Sequence, residues 1–133
     1  MSKKTNTEFL TAFIELETAC DSMLGCKRSG VTEYINRLNN FGSIPGKSEI
    51  LPKLIFYRKI RNKIAHESGA LTELRDVDKS DVRWLKNFKR DVEKRRDPIS
   101  KNERSAFGKK LKLIAILSAV ALVLIAVALI IIF

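Results

Sequence analysis

From Leu113 to Phe133 the chain runs for 21 residues without a charged side chain, and Ser118 is the one polar residue among them. At about 1.5 Å per residue a helix of that length reaches about 31 Å, enough to cross a hydrocarbon layer of about 30 Å. A helix in the core of a water-soluble bundle would turn a polar side somewhere within six turns, and this stretch has none. Residues 111–133 are therefore expected to form one transmembrane helix, with 113–133 in contact with lipid. The other end, Met1-Ser2-Lys3-Lys4, is polar and leads into a stretch carrying Glu8, Glu15 and Glu17. It has no signal-peptide pattern, so the expectation is a single-pass, tail-anchored protein.

The residues before the apolar run set the orientation. Lys101, Arg104, Lys109, Lys110 and Lys112 precede it against a single acid, Glu103. Basic flanks stay on the cytoplasmic side, which places the rest of the chain there. The same five residues also suit anionic lipid head groups, each contributing about 1 kcal/mol near a charged surface. Both readings of the cluster, topology signal and lipid contact, stand at this point. Asp97-Pro98-Ile99-Ser100 and Gly108 punctuate the segment, so residues 97–110 are read as a basic juxtamembrane linker. What remains, residues 1–96, has room for one small domain with a single core.

That domain shows helical spacing throughout. Phe9, Phe13, Leu16, Cys20, Met23 and Leu24 recur at steps of three and four, predicting a helix from Asn6 to about Arg28 with Thr5 or Asn6 as its cap. Val31, Tyr34, Ile35 and Leu38 share one side of a second helix over 31–40, with Phe41 closing that side. A turn-rich segment, Gly42 to Ser48, leads to a third, with Ser48 as cap, Pro52 in its first turn and Leu51, Leu54, Ile55, Ile60 and Ile64 as its buried stripe. The fourth starts at Asp78 or Ser80, buries Val82, Leu85, Phe88 and Val92, and stops at Asp97-Pro98. Trp84 sits one position off that stripe, at the boundary of the core. No segment alternates with period two, so the fold class is all-α: a four-helix bundle followed by one C-terminal transmembrane helix.

Several chemistries are excluded by spacing. Gly42-Ser43-Ile44-Pro45-Gly46-Lys47-Ser48 ends like a phosphate-binding loop, but its glycines are too close and no strand leads into it. Asp76, Asp78 and Asp81 are acids at a helix start, where they serve as caps and dipole partners rather than metal ligands. Cys20 and Cys26 have no second pair or nearby histidine, which is not a zinc pattern, and both read as reduced thiols with Cys20 buried. No metal and no cofactor is expected. The formal net charge is +10, with basic residues concentrated in the third helix (Lys53, Arg58, Lys59, Arg61, Lys63) and the fourth (Arg83, Lys86, Lys89, Arg90, Lys94, Arg95, Arg96). A polyanion or an anionic membrane is the implied partner.

One stretch of the third helix bears on chemistry. Arg61-Asn62-Lys63-Ile64-Ala65-His66 sets the single histidine five residues after an arginine, with a polar residue next to the arginine. Histidine exchanges protons near neutrality, and arginine presents a fork of donors to phosphate oxygens. This motif, entered by a helix, followed by a polar break over Glu67–Asp78 and then by a second amphipathic helix, resembles the signature of the HEPN superfamily. That superfamily comprises small all-helical domains and includes many metal-independent ribonucleases of defence and toxin systems. The resemblance implies a HEPN-like bundle in which Arg61, Asn62 and His66 form the catalytic set and RNA is the substrate. His66 would act as general base or acid at the ribose 2′-hydroxyl, Arg61 would stabilise the phosphorus-centred transition state, and Asn62 would orient His66 or contact phosphate. The products would be a 2′,3′-cyclic phosphate and a 5′-hydroxyl.

Helix geometry adds a condition. Five residues at about 100° each set Arg61 and His66 about 140° apart. One straight helix cannot aim both along one line. In the HEPN superfamily two copies commonly meet to form a composite cleft, so the nuclease reading implies a homodimer. Many proteins of that superfamily are binding or pairing modules without catalysis, and for such a protein His66 is a helix-end residue bonding a carbonyl. Two functions thus stand side by side, a membrane-anchored endoribonuclease and a membrane-anchored interaction module. An unrelated helical membrane protein whose basic domain binds lipid or scaffolds a complex is the third.

Overall fold

A computed structural model describes residues 3–66 and 77–132, and within them five helices and no strand are seen. They are α1 (Lys3–Leu24), α2 (Gly30–Asn40), α3 (Lys47–His66), α4 (Lys79–Glu93) and α5 (Pro98–Ile132). The chain divides into two compact units, residues 1–100 and 101–133. The Glu67–Gly69 helix end, Asp76 and Phe133 lie outside the described residues.

In the first unit α1 packs against both α2 and α4, and α2 packs against α3. The core is built from the stripes that the spacing predicts. Phe9, Phe13, Leu16 and Cys20 come from α1, Val31, Tyr34, Ile35 and Leu38 from α2, and Val82, Leu85, Phe88 and Val92 from α4. Cys20 is a free thiol, and burial pushes its pKa up. Trp84 stacks on Phe88 at 5.1 Å and tilts against Tyr57 at 5.4 Å, with Lys53 Nζ over its ring, so it closes the core edge as a boundary residue.

Several helix ends differ from the sequence reading. α1 begins at Lys3, so Thr5 and Asn6, expected as its caps, lie inside the helix and are buried. α1 stops at Leu24 rather than Arg28, because Gly25 takes a left-handed φ of +68°. Asp21 then gathers the turn, its carboxylate accepting from the Arg28 and Ser29 amides at 3.0 and 3.3 Å. Immediately afterwards Gly30 lets α2 cross α1 at close range: a Cβ there would stand 2.4 Å from the Asp21 nitrogen and 2.5 Å from the Glu17 oxygen. α3 begins at Lys47, earlier than expected, so Pro52 falls in its second turn and removes an internal amide donor instead of a free one. Lys47 Nζ donates to the carbonyls of Asn39, Phe41 and Gly42, which satisfies the end of α2 and ties it to the start of α3.

Asp78 does start α4, through a capping box. Its carboxylate accepts from the Ser80 and Asp81 amides, while Asp81 accepts from the Asp78 amide at 2.8 Å. These hydrogen bonds, with the Ser80 hydroxyl contributing most, hold the Asp78 carboxyl below its usual range. Asp81 also accepts from the Tyr57 hydroxyl at 2.7 Å, joining α4 to α3.

The expected linker over residues 97–110 is helical. Asp97-Pro98, expected to stop α4, does not: α4 already ends at Glu93, where Arg95 takes a left-handed φ of +54° and the Arg96 amide donates to the Asp91 carbonyl at 2.8 Å. Asp97-Pro98 instead begins α5: Asp97 Oδ1 accepts from the amides of Ile99 and Ser100, and Pro98 occupies the first helical position. The same oxygen accepts from the Tyr34 hydroxyl at 2.8 Å, and Asp97 through Ser100 are buried in the first unit. Beyond Ser100 only Gly108 disfavours a helix, and one glycine costs about 1 kcal/mol. The second unit is a continuous helix through the apolar run. Its large side chains from Leu113 to Ile132 are exposed, and the Ser118 hydroxyl donates to the Ala115 carbonyl of its own helix at 2.9 Å. This helix is long and apolar enough to cross a membrane.

Candidate functional site

The motif residues sit on the last two turns of α3. Leu54, Tyr57, Ile60 and Ile64 face the core and fix the rotation of the helix. Tyr57 is a core residue the apolar pattern missed, and Ile55, expected in the buried stripe, is exposed. The physical reason is angular: at about 100° per residue Leu54 and Ile55 cannot both point inward, and the run 54, 57, 60, 64 is the better-aligned set.

That rotation sets the Arg61 backbone position on a different side of α3 from Asn62 and His66. Asn62 and His66, four residues apart, share the exposed side of α3 with Lys59 and Lys63. Arg61 is half-buried on the flank that faces α1. From there its charge reaches Glu17, whose carboxyl is raised by burial and lowered in part by the Arg61 charge, without an ion pair forming between them. The Asn62 side-chain oxygen accepts from Arg61 Nη1 at a long 3.4 Å, so within one chain Asn62 is paired with the arginine and not with the imidazole. Among the described residues no hydrogen-bond partner of the His66 ring is seen. Among the described residues no hydrogen bond joins Arg61 to His66.

A second feature went unread in the sequence. On α4, Lys79, Arg83, Lys86 and Arg90 recur at i, i+4, i+7 and i+11, and all four are exposed. With Glu8, Val82 and Asn87 they line a shallow cavity of about 320 Å³. Spacing over Lys79 to Arg90 is the signal for it, masked in the sequence by the further basic residues Lys89, Lys94, Arg95 and Arg96 nearby. The others are partly neutralised: Lys89 pairs with Glu15 at 3.4 Å and Glu93 at 3.5 Å, and Arg96 pairs with Asp91 at 2.9 Å. No group of three or more metal-ligating side chains is found among the described residues.

Residues 7–112 match a family of unknown function (DUF6548). The chain belongs to that family. The DUF6548 match takes in the helical domain from Thr7, the motif and the basic flank, and stops at Lys112, one residue before the apolar run. No curated protein and no solved structure matches the chain.

Proposed function

We propose that the chain is a membrane-anchored, HEPN-like interaction module that binds a polyanion, RNA first among the candidates, from the cytoplasmic side. The observation that carries this reading is the contrast in exposed charge. The stripe Lys79, Arg83, Lys86 and Arg90 is continuous and accessible, whereas Arg61 is only partly exposed, lies within electrostatic range of Glu17 and donates to Asn62. A basic stripe on one helix tracks a phosphate backbone without reading sequence, and such binding weakens steeply with salt. The basic residues before the apolar run support the cytoplasmic orientation.

The test is retention of a single-stranded RNA by the full chain in detergent across a salt series. Arg83→Glu with Lys86→Glu should reduce the affinity by about tenfold or more and flatten the salt dependence, since two phosphate contacts are lost. An unchanged affinity would reject the stripe as the binding face.

A metal-independent endoribonuclease acting as a homodimer is the second reading, and one observation favours it. Asn62 and His66 lie on an exposed side of α3 with two lysines and no acid between them, open to RNA and to a partner chain. It predicts 2′,3′-cyclic phosphate ends that persist in chelator and vanish in His66→Ala. In that reading Arg61→Lys, which keeps the charge and loses the planar fork, cuts poorly while still binding.

A further inference from the structure

The exposed side of α3 has two halves. Its last turns carry Lys59, Lys63 and His66, and its first turns carry Pro52, Ile55 and Phe56. Ile55 and Phe56 are 41% and 44% exposed, and the only other large apolar side chain so exposed in the first unit, among the described residues, is Ile14 at 51%. Beside them a groove of about 380 Å³ is lined by Ile44, Leu51 and Pro52 with Gly42, Ser43, Lys47 and Ser48. Apolar surface therefore continues from the α2–α3 turn along α3 to Phe56. The turn itself touches the root of α5, for a Cβ on Gly46 would stand 3.3 Å from Pro98 Cγ. Glu49, in the first turn of α3, is paired with Lys53 at 3.8 Å.

We infer that this face of α3 lies on the anionic bilayer into which the chain's own apolar helix inserts, with Ile55 and Phe56 in the head-group layer and Lys59 and Lys63 against the lipid phosphates. Three observations select the bilayer. Apolar side chains bordered by lysines are the composition of an interfacial helix face. Twelve residues, Lys101 to Lys112, lie between the first unit and the apolar run, and the bilayer is the one partner to which the chain is committed through its own covalently linked apolar helix. Two lysines with no acid beside them, Lys59 and Lys63, complement an anionic surface. The inference does not rest on RNA binding, which the α4 stripe carries.

The test uses the full chain with Cys26→Ser, which leaves the buried Cys20, and a single reporter made by Phe56→Cys or, in a second protein, Ile55→Cys. Each is reconstituted in vesicles of phosphatidylcholine alone or with phosphatidylserine, and labelling by a membrane-impermeant maleimide is timed. Ser22→Cys on the exposed side of α1 is the reference. Labelling at 55 and 56, relative to 22, should slow by about tenfold in the anionic vesicles and recover in high salt or with Lys59→Glu and Lys63→Glu. Equal relative rates in the two vesicle types would overturn the inference. So would protection that follows protein density regardless of lipid, the mark of a second copy, or protection that appears only when RNA is added.

Discussion

The two units of this chain are both helical, yet they are stabilised by different surroundings. The first encloses its large apolar side chains among its own helices and fixes their angles with polar devices: Asp21 at the α1–α2 turn, Lys47 between α2 and α3, the Asp78 capping box, and Asp97 beneath Tyr34. The second has no such device over its apolar run and no protein cover, so its side chains need lipid. The same α-helical backbone therefore belongs to two solvents, and Asp97 to Ser100, buried in the first unit, is where the helix that enters lipid is fastened to the bundle.

The largest effect expected from breaking this contrast is loss of the second unit's solvent. Removal of residues 111–133 should release a soluble, helical protein from the membrane fraction, as read by sedimentation and circular dichroism. A truncated chain that still pellets with membranes in high salt would show that the first unit is itself inserted. Gly30→Val acts on the other side of the comparison. Its side chain would collide with the α1 backbone, so the first unit should lose about 3 kcal/mol of stability, measured by denaturant titration of Trp84 fluorescence, while membrane retention stays unchanged.

Tyr34→Phe should be milder. It removes one buried donor from Asp97, costing about 1–3 kcal/mol, and leaves the amides of Ile99 and Ser100 in place. If extraction of the protein from membranes also became easier, the fastening would be more than a property of the bundle.

The smallest effect concerns Arg61. Because burial raises the Glu17 carboxyl, the folded protein holds that proton more tightly than the unfolded chain, so stability falls as pH rises from 4.5 through the raised value. Glu17→Gln should therefore raise the melting temperature slightly at neutral pH and have no such effect well below pH 4.5. Arg61→Met should do the opposite at neutral pH by removing the cation that offsets the burial. A melting temperature that ignores both substitutions would free Arg61 from its role beside Glu17 and strengthen the catalytic reading.

Much of the fold was legible because apolar spacing dominates it. The stripes of α1, α2 and α4, the buried Cys20, the boundary position of Trp84 and the apolar run could each be read from residue order. Errors fell where one residue type serves two structural purposes. Asp97-Pro98 reads as a stop, but aspartate before proline is also a helix start, and only the hydroxyl of Tyr34, distant in sequence, ties that start into the core. Ile55 joined the wrong stripe because two adjacent apolar residues leave the rotation of a helix ambiguous until its neighbours are placed. At the candidate site, the angular separation of Arg61 and His66 followed from helix geometry alone. The proximity of Arg61 to Glu17 depends on how α3 lies against α1, which no local pattern encodes.

The most direct test of the central proposal is to incubate the full chain, in neutral lipid discs at increasing protein density, with a labelled single-stranded RNA and chelator, reading complex formation and RNA length from the same samples. The account predicts saturable, salt-sensitive retention with RNA of unchanged length at every density. Cleavage that grows with the square of protein density and disappears in His66→Ala would contradict it and establish the dimeric nuclease instead.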